Sequence, residues 1–171
     1  TNEHVVSRAS KIKVRLSDGK VFEATMISSD PISDLAVLKI NSPTPLPYVK
    51  MGTSNDLMIG EPVIALGNPF GLENSVTTGV LSATNRTITF NTQHGDVKYE
   101  GLIQTDALIN PGNSGGPLVN MDGELIGINA AIVNQAQGIG FAIPVDKVRQ
   151  TLVKLFNFRE INKIWFGVQV E

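Results

Sequence analysis

The residues best suited to chemistry lie in one string, Asn110-Pro111-Gly112-Asn113-Ser114-Gly115-Gly116-Pro117. A serine hydroxyl is a weak nucleophile. It needs a base within hydrogen-bond reach and donors for the oxyanion that forms when it attacks a carbonyl. Small residues around Ser114 leave room for such a carbonyl and let the backbone N–H groups from Gly112 to Ser114 converge on one point. Glycine tolerates the backbone angles that a turn of this kind demands. A glycine-rich β-turn with an incidental serine is the competing reading. A bare Gly-x-Ser-x-Gly would leave the two level, and the longer string favours chemistry.

A base for Ser114 must come from two histidines, His4 and His94. His94 lies in the polar stretch Asn91-Thr92-Gln93-His94-Gly95-Asp96, where a solvated surface histidine is the ordinary expectation. His4 stands beside Val5 and Val6, and a lone histidine among apolar residues is more often a satisfied core residue than a catalyst. Asp34 changes that balance. It directly precedes the apolar run Leu35 to Ile40, where an unpaired buried carboxylate would be costly. An aspartate that accepts the Nδ1–H of His4, and so orients its imidazole, accounts for both residues at once. Asp30 sits in Ser28-Ser29-Asp30-Pro31 and reads as turn chemistry. The order His4, Asp34, Ser114 is that of chymotrypsin-like enzymes, and differs from the subtilisin and α/β-hydrolase orders.

The elements that must hold these residues are mostly strands. Ile12 to Leu16 and Val21 to Ile27 flank Ser17-Asp18-Gly19-Lys20 and predict a hairpin. Leu35 to Ile40 and Pro62 to Gly67 are apolar strand candidates, separated by a connector carrying Pro43, Pro45 and Pro47. Ser75 to Leu81 and Arg86 to Phe90 read as two further strands, with Asn91 to Asp96 as an exposed loop tip. Pro117 to Asn120 and Glu124 to Val133 flank Met121-Asp122-Gly123 as a second hairpin, and Gly138 to Ile143 gives one more strand. Only Val145 to Asn157 has helical periodicity, with Val145, Val148, Leu152 and Leu155 on one stripe.

Composition agrees. Sixteen glycines, nine prolines and 18% charged residues suit short strands and tight turns better than a helix bundle. The net charge of -2, with scattered lysines and arginines, gives no footprint for nucleic acid or an anionic membrane. Zero cysteines exclude disulfides, thiolate metal sites and cysteine nucleophiles, and two distant histidines make no credible metal site. No apolar run reaches the length of a membrane span. The opening Thr1-Asn2-Glu3-His4 reads as the interior of a longer chain, a processed or excised piece.

Several segments together resemble the HtrA/Deg serine proteases: Thr1 to Val6, Ser33 to Ile40, Gly67-Asn68-Pro69-Phe70-Gly71-Leu72, Gln104-Thr105-Asp106, Asn110 to Leu118 and Gly138 to Pro144. The likeness covers nearly the whole chain. It implies an all-β fold of two trypsin-like barrels with a C-terminal helix and the active site between the barrels. Residues 1–157 would form the protease domain, with 1–45 the remainder of the first barrel, 46–143 mainly the second and 144–157 the helix. Residues 158–171 would be a linker and the start of a PDZ domain. The resemblance further implies ATP-independent endopeptidase activity on unfolded or misfolded polypeptides, in protein quality control under stress. It implies homotrimers or larger assemblies, a bacterial periplasm, envelope or derived organelle, and no cofactor.

Carried over by position, His4 is the general base, Asp34 its orienter and Ser114 the nucleophile, with Gly112 and Ser114 as the main oxyanion donors and Asn113 assisting. Ala107-Leu108-Ile109 is apolar and offers no acid to a basic side chain, so cleavage after small or medium aliphatic residues is expected. Ile109 and Ile132 are candidates for the pocket wall, and the backbone near Ala130 for pairing with a substrate strand. Asn113 stands where trypsin-type zymogens use an aspartate to receive a new ammonium terminus. An amide cannot form that ion pair, so activation is expected to come from ordering of the loops 68–75, 88–98, 106–113 and 133–137. Family members also carry several strands before the histidine, whereas three residues precede His4 here. The first barrel should therefore be incomplete, and its N-terminal trimer contacts absent. A non-hydrolytic peptide-binding or chaperone-like module, or an inactive fragment, is the alternative reading.

Overall fold

Alternation builds the first lobe. In β1 (Ile12–Arg15) the side chains of Ile12 and Val14 are half-buried while Lys13 and Arg15 face water. This strand returns through a turn at Gly19, whose φ of 83° only glycine adopts readily, into β2 (Val21–Asp30). β2 in turn pairs with β3 (Leu35–Ile40), giving an antiparallel sheet of order β1-β2-β3. The computed structural model describes residues 1–68, 75–92, 95–130 and 138–156. In that range the first sheet stays open, with β1 and β3 at its edges.

The second lobe closes. β4 (Pro62–Gly67), β5 (Ser75–Thr92), β6 (Gly95–Thr105), β7 (Pro117–Val119), β8 (Leu125–Ala130) and β9 (Gly140–Pro144) form an antiparallel barrel of order β4-β5-β6-β9-β8-β7. Its interior is filled by Val63, Ala65, Leu81, Ile103, Leu118 and Ile126. The fold is thus all-β, with the C-terminal helix described below. Two readings from sequence change here. Ser75–Thr92 is one long strand, not two, bent by register shifts around Ala83 and Arg86 with Asn85 at φ 55°. Its partner β6 was not anticipated. The sequence also gave no sign of α1 (Glu3–Val6), the single helical turn that carries His4.

Helix α2 (Val145–Leu155) buries the expected stripe. Val145, Val148 and Thr151 are buried and Leu152 is half-buried. It packs on β8 and β9 of the barrel and on β2 of the open sheet. A second apolar cluster forms beneath it from Leu35, Leu102, Phe141, Ile143 and Val148. Leu35 comes from the first lobe, so this cluster joins the two. The connector between the lobes is pinned to the barrel, where the Gly52 amide donates to Leu125 O and the Leu125 amide to Lys50 O, at 2.9 and 2.8 Å. Among the described residues no helix is long and apolar enough to cross a membrane. The expected linker and PDZ start lie outside the described residues.

Candidate active site

His4 and Asp34 meet because residues 1–4 lie along the start of β3. The Ala36 amide donates to Thr1 O at 2.9 Å, and the Glu3 amide donates to Asp34 O at 3.1 Å. Asn2, fully buried, donates its side-chain amide to the same Asp34 carbonyl at 3.1 Å. Asp34 itself has φ 54°, a left-handed conformation that aspartate tolerates better than most side chains. That turn aims its carboxylate back at α1. Oδ1 accepts the His4 backbone amide at 3.0 Å, and Oδ1 and Oδ2 lie 3.0 and 2.8 Å from His4 Nδ1.

A carboxylate only accepts, so Nδ1–H is the donor in this pair, and it is Nε2 that carries the lone pair whenever the ring is neutral. Asp34 is 3% exposed and His4 45% exposed. The acid is therefore sealed beneath the imidazole, and the imidazole opens to solvent. The negative field of this corner extends to Tyr99. Burial, reinforced by the charges of Asp34 and Glu3, pushes its phenol above the ordinary value.

Ser114 lies on a pair of consecutive turns. The Asn113 amide donates to Asn110 O at 2.9 Å, with Pro111 and Gly112 between them and Gly112 at φ 107°. Proline followed by a positive-φ glycine is the pattern of a type II turn. The Gly116 amide then donates to Asn113 O at 2.9 Å, with Gly115 at φ 80°. Asn129 of β8 locks the loop to the barrel: its carbonyl accepts from Gly115 and its amide donates to Gly116 O, at 2.9 and 2.8 Å. Its side chain also donates to Pro117 O at 3.1 Å and Leu66 O at 3.3 Å. These turns engage the amides of Asn113, Gly115 and Gly116, that of Asn113 being held by Asn110. The three expected oxyanion donors, Gly112, Asn113 and Ser114, all lie on this pair of turns.

The two halves of the site touch. A side chain at Gly115 would occupy the space of the Thr1 hydroxyl and crowd the Asn2 amide. The Ser114 loop therefore lies directly against the segment that leads into His4. Gly67 plays a similar part on the other side, since only a missing side chain lets Asn113 press against it. Asn113 is buried, and its side-chain amide donates to Leu108 O at 3.0 Å. Its Oδ1 has no partner among the described residues.

Ile109 packs on the barrel core and fills the space above Gly140, where any side chain would strike it. Leu108 is exposed, and its carbonyl also accepts from Thr77 Oγ1 at 2.9 Å. Asp106, an acid just before this segment, is engaged elsewhere: its Oδ1 accepts the Val80 amide at 2.6 Å. Ala130 is buried at the end of β8, opposite Phe141. Ile132 and His94 lie outside the described residues, as does most of each anticipated mobile loop at 68–75 and 133–137. Asp30 does turn chemistry, accepting from the Ile32 amide at 3.0 Å and the Ser33 hydroxyl at 2.7 Å. Asn2 and Asn129 were missed from sequence. The only available signal was an amide residue two places before the candidate base and another within an apolar strand. No group of three or more His, Asp or Glu side chains among the described residues could hold a metal ion.

The family described as trypsin-like peptidase domain matches residues 1–128. The periplasmic serine endoprotease DegP of Escherichia coli K12 is 46% identical over 171 residues, covering 98% of this chain and 35% of that protein. The DegP of Salmonella typhimurium is 45% identical, with the same 98% and 35% coverage. A DegP-like periplasmic serine endoprotease of Chlamydia pneumoniae is 47% identical over 174 residues, 100% of this chain and 34% of that protein. The chain thus spans about a third of the length of the curated relatives it matches.

Proposed function

Because the chain belongs to the trypsin-like peptidase domain family, we propose that it is the hydrolytic domain of a DegP-type serine endopeptidase acting on unfolded polypeptides without ATP. The observation that carries this reading is the buried Asp34 carboxylate on His4 Nδ1, with the Ser114 loop packed against the same segment. In this mechanism His4 Nε2 takes the Ser114 hydroxyl proton as Oγ attacks the scissile carbonyl. The Gly112 and Ser114 amides receive the oxyanion. Asp34 holds the imidazole in the required tautomer and stabilises the imidazolium. The tetrahedral intermediate collapses to an acyl-enzyme as His4 returns the proton to the leaving amine. Water then attacks the acyl carbonyl as His4 takes one of its protons, and His4 passes that proton to Ser114 Oγ as the ester bond breaks and the new C-terminus leaves.

Substrate is read as an added strand along the backbone near Ala130. On the apolar side formed by Ile109, cleavage follows small or medium aliphatic residues. The relatives are periplasmic serine endoproteases by name, and we extend that extracytoplasmic setting to this protein. We also propose residues 1–157 as the protease domain, followed by a linker and a PDZ domain, and a homotrimeric whole protein.

Labelling with a fluorophosphonate probe, with Ser114→Ala as control, tests this. We expect labelling that vanishes in the variant, together with cleavage of an unfolded polypeptide after aliphatic residues. A chain that binds peptides yet never labels would leave the non-hydrolytic module as the correct reading.

A further inference from the structure

The base and the nucleophile stand on different lobes, so something must fix one lobe against the other. Helix α2 touches both, lying on β8 and β9 of the barrel and on β2 of the open sheet. Its Val148 shares a buried cluster with Leu35, the residue next to Asp34, and with Leu102, Phe141 and Ile143 of the barrel. Any shift of α2 therefore moves the floor beneath the His4–Asp34 pair.

Apolar packing alone would let the helix slide, but its first turn is bonded in place. Pro144 occupies the N-cap position and makes no side-chain cap bond. Ser54, far away on the connector between the lobes, supplies the cap. Its Oγ accepts the Asp146 amide at 3.2 Å, and Asp146 Oδ2 accepts both the Ser54 amide at 2.8 Å and its hydroxyl at 2.7 Å. Arg149 completes the latch. Nη1 donates to Asp146 Oδ1 at 2.8 Å, and Nη2 donates to Gly52 O at 2.7 Å and Met51 O at 3.3 Å. Since Gly52 is itself bonded to Leu125 of β8, the latch ties helix, connector and barrel together.

We infer that Ser54, Asp146 and Arg149 are positioning residues: they fix α2, and α2, through Val148 against Leu35, sets the His4–Asp34 pair in register with Ser114. This rests on the serine-endopeptidase reading of the site. The His4–Asp34 contact is made within residues 1–36 and does not need the latch. Loss of the latch therefore leaves the pair intact and displaces it from the nucleophile. A shift of about 1 Å in a catalytic group is enough to cost roughly 100-fold in rate.

The test compares the parent chain with Ser54→Ala, Ser54→Thr and Arg149→Met, all shown by circular dichroism to be folded at the assay temperature. We expect fluorophosphonate acylation to slow by about 10- to 100-fold in Ser54→Ala and Arg149→Met. Peptide hydrolysis should lose kcat with KM unchanged. Ser54→Thr, which keeps the hydroxyl, should recover most of the rate. The NMR resonance of the His4 Nδ1 proton should stay where it is in the parent. Unchanged acylation with a lower melting temperature would reduce the latch to a stabilising brace and overturn the inference. A Ser54→Thr variant as slow as Ser54→Ala, or a displaced His4 resonance, would overturn it too. A parent chain that never labels would instead sink the hydrolase reading, and this inference with it.

Discussion

Asp34 combines a left-handed backbone, a buried carboxylate and two bonds to one histidine. Asparagine has the same shape, but its carboxamide cannot stabilise an imidazolium or enforce the tautomer. Asp34→Asn is therefore expected to lower kcat by about 10⁴-fold with little change in KM, measured on a peptide substrate. Gly115 is the second sensitive position. Alanine there pays about 1–2 kcal/mol for its positive φ and drives a methyl group into Thr1 and Asn2. Gly115→Ala should slow fluorophosphonate labelling by about 100-fold or more while the chain remains folded. His4, Asp34 and Ser114 stand out in the sequence because histidine has one rival, Ser114 sits in a glycine-rich string and Asp34 directly precedes an apolar strand. Asn2, Asn113 and Asn129 were harder to read. Their buried side-chain amides donate to backbone carbonyls, and a contact to backbone leaves no partner side chain to find.

At the scale of elements, most strands announced themselves through apolar alternation or an apolar run between turns. β6 did not. Its first half, Gly95 to Glu100, carries Asp96, Lys98 and Glu100, and the polar side chains masked a strand that closes the barrel lower down with buried Leu102 and Ile103. α1 is one turn long, below the length at which periodicity exists. The first turn of α2 supports a prediction about acid. Burial alone would raise the Asp146 pKa, but the Ser54 hydroxyl and amide together with Arg149 outweigh it, so the folded value lies below the ordinary one. A carboxyl depressed in the folded state stabilises fully above its unfolded pKa, about 4, and that contribution is lost as pH falls through the folded value. The melting temperature of the parent should therefore fall more steeply below about pH 4 than that of Asp146→Asn, while the two curves run parallel near neutrality. Acid scans of both proteins check this.

The whole molecule couples an open sheet to a closed barrel, and the two halves should respond differently to damage. Leu81 is fully buried inside the barrel, so Leu81→Ala should cost about 2–5 kcal/mol of stability in chemical denaturation. Below the unfolding transition its acylation rate should hardly change. Leu35 lies in the cluster that joins the lobes, and Leu35→Ala should lose acylation at temperatures where the chain is still folded. The family resemblance implied a site between two lobes, but no pattern in the sequence showed that residues 1 and 2 would dock on the loop at Gly115. That contact also has a meaning in time. During synthesis His4 emerges long before Ser114. In the proposed mechanism the nucleophile gains its base only once the segment before His4 has docked at Gly115, so hydrolysis would wait on the folding that joins the two lobes.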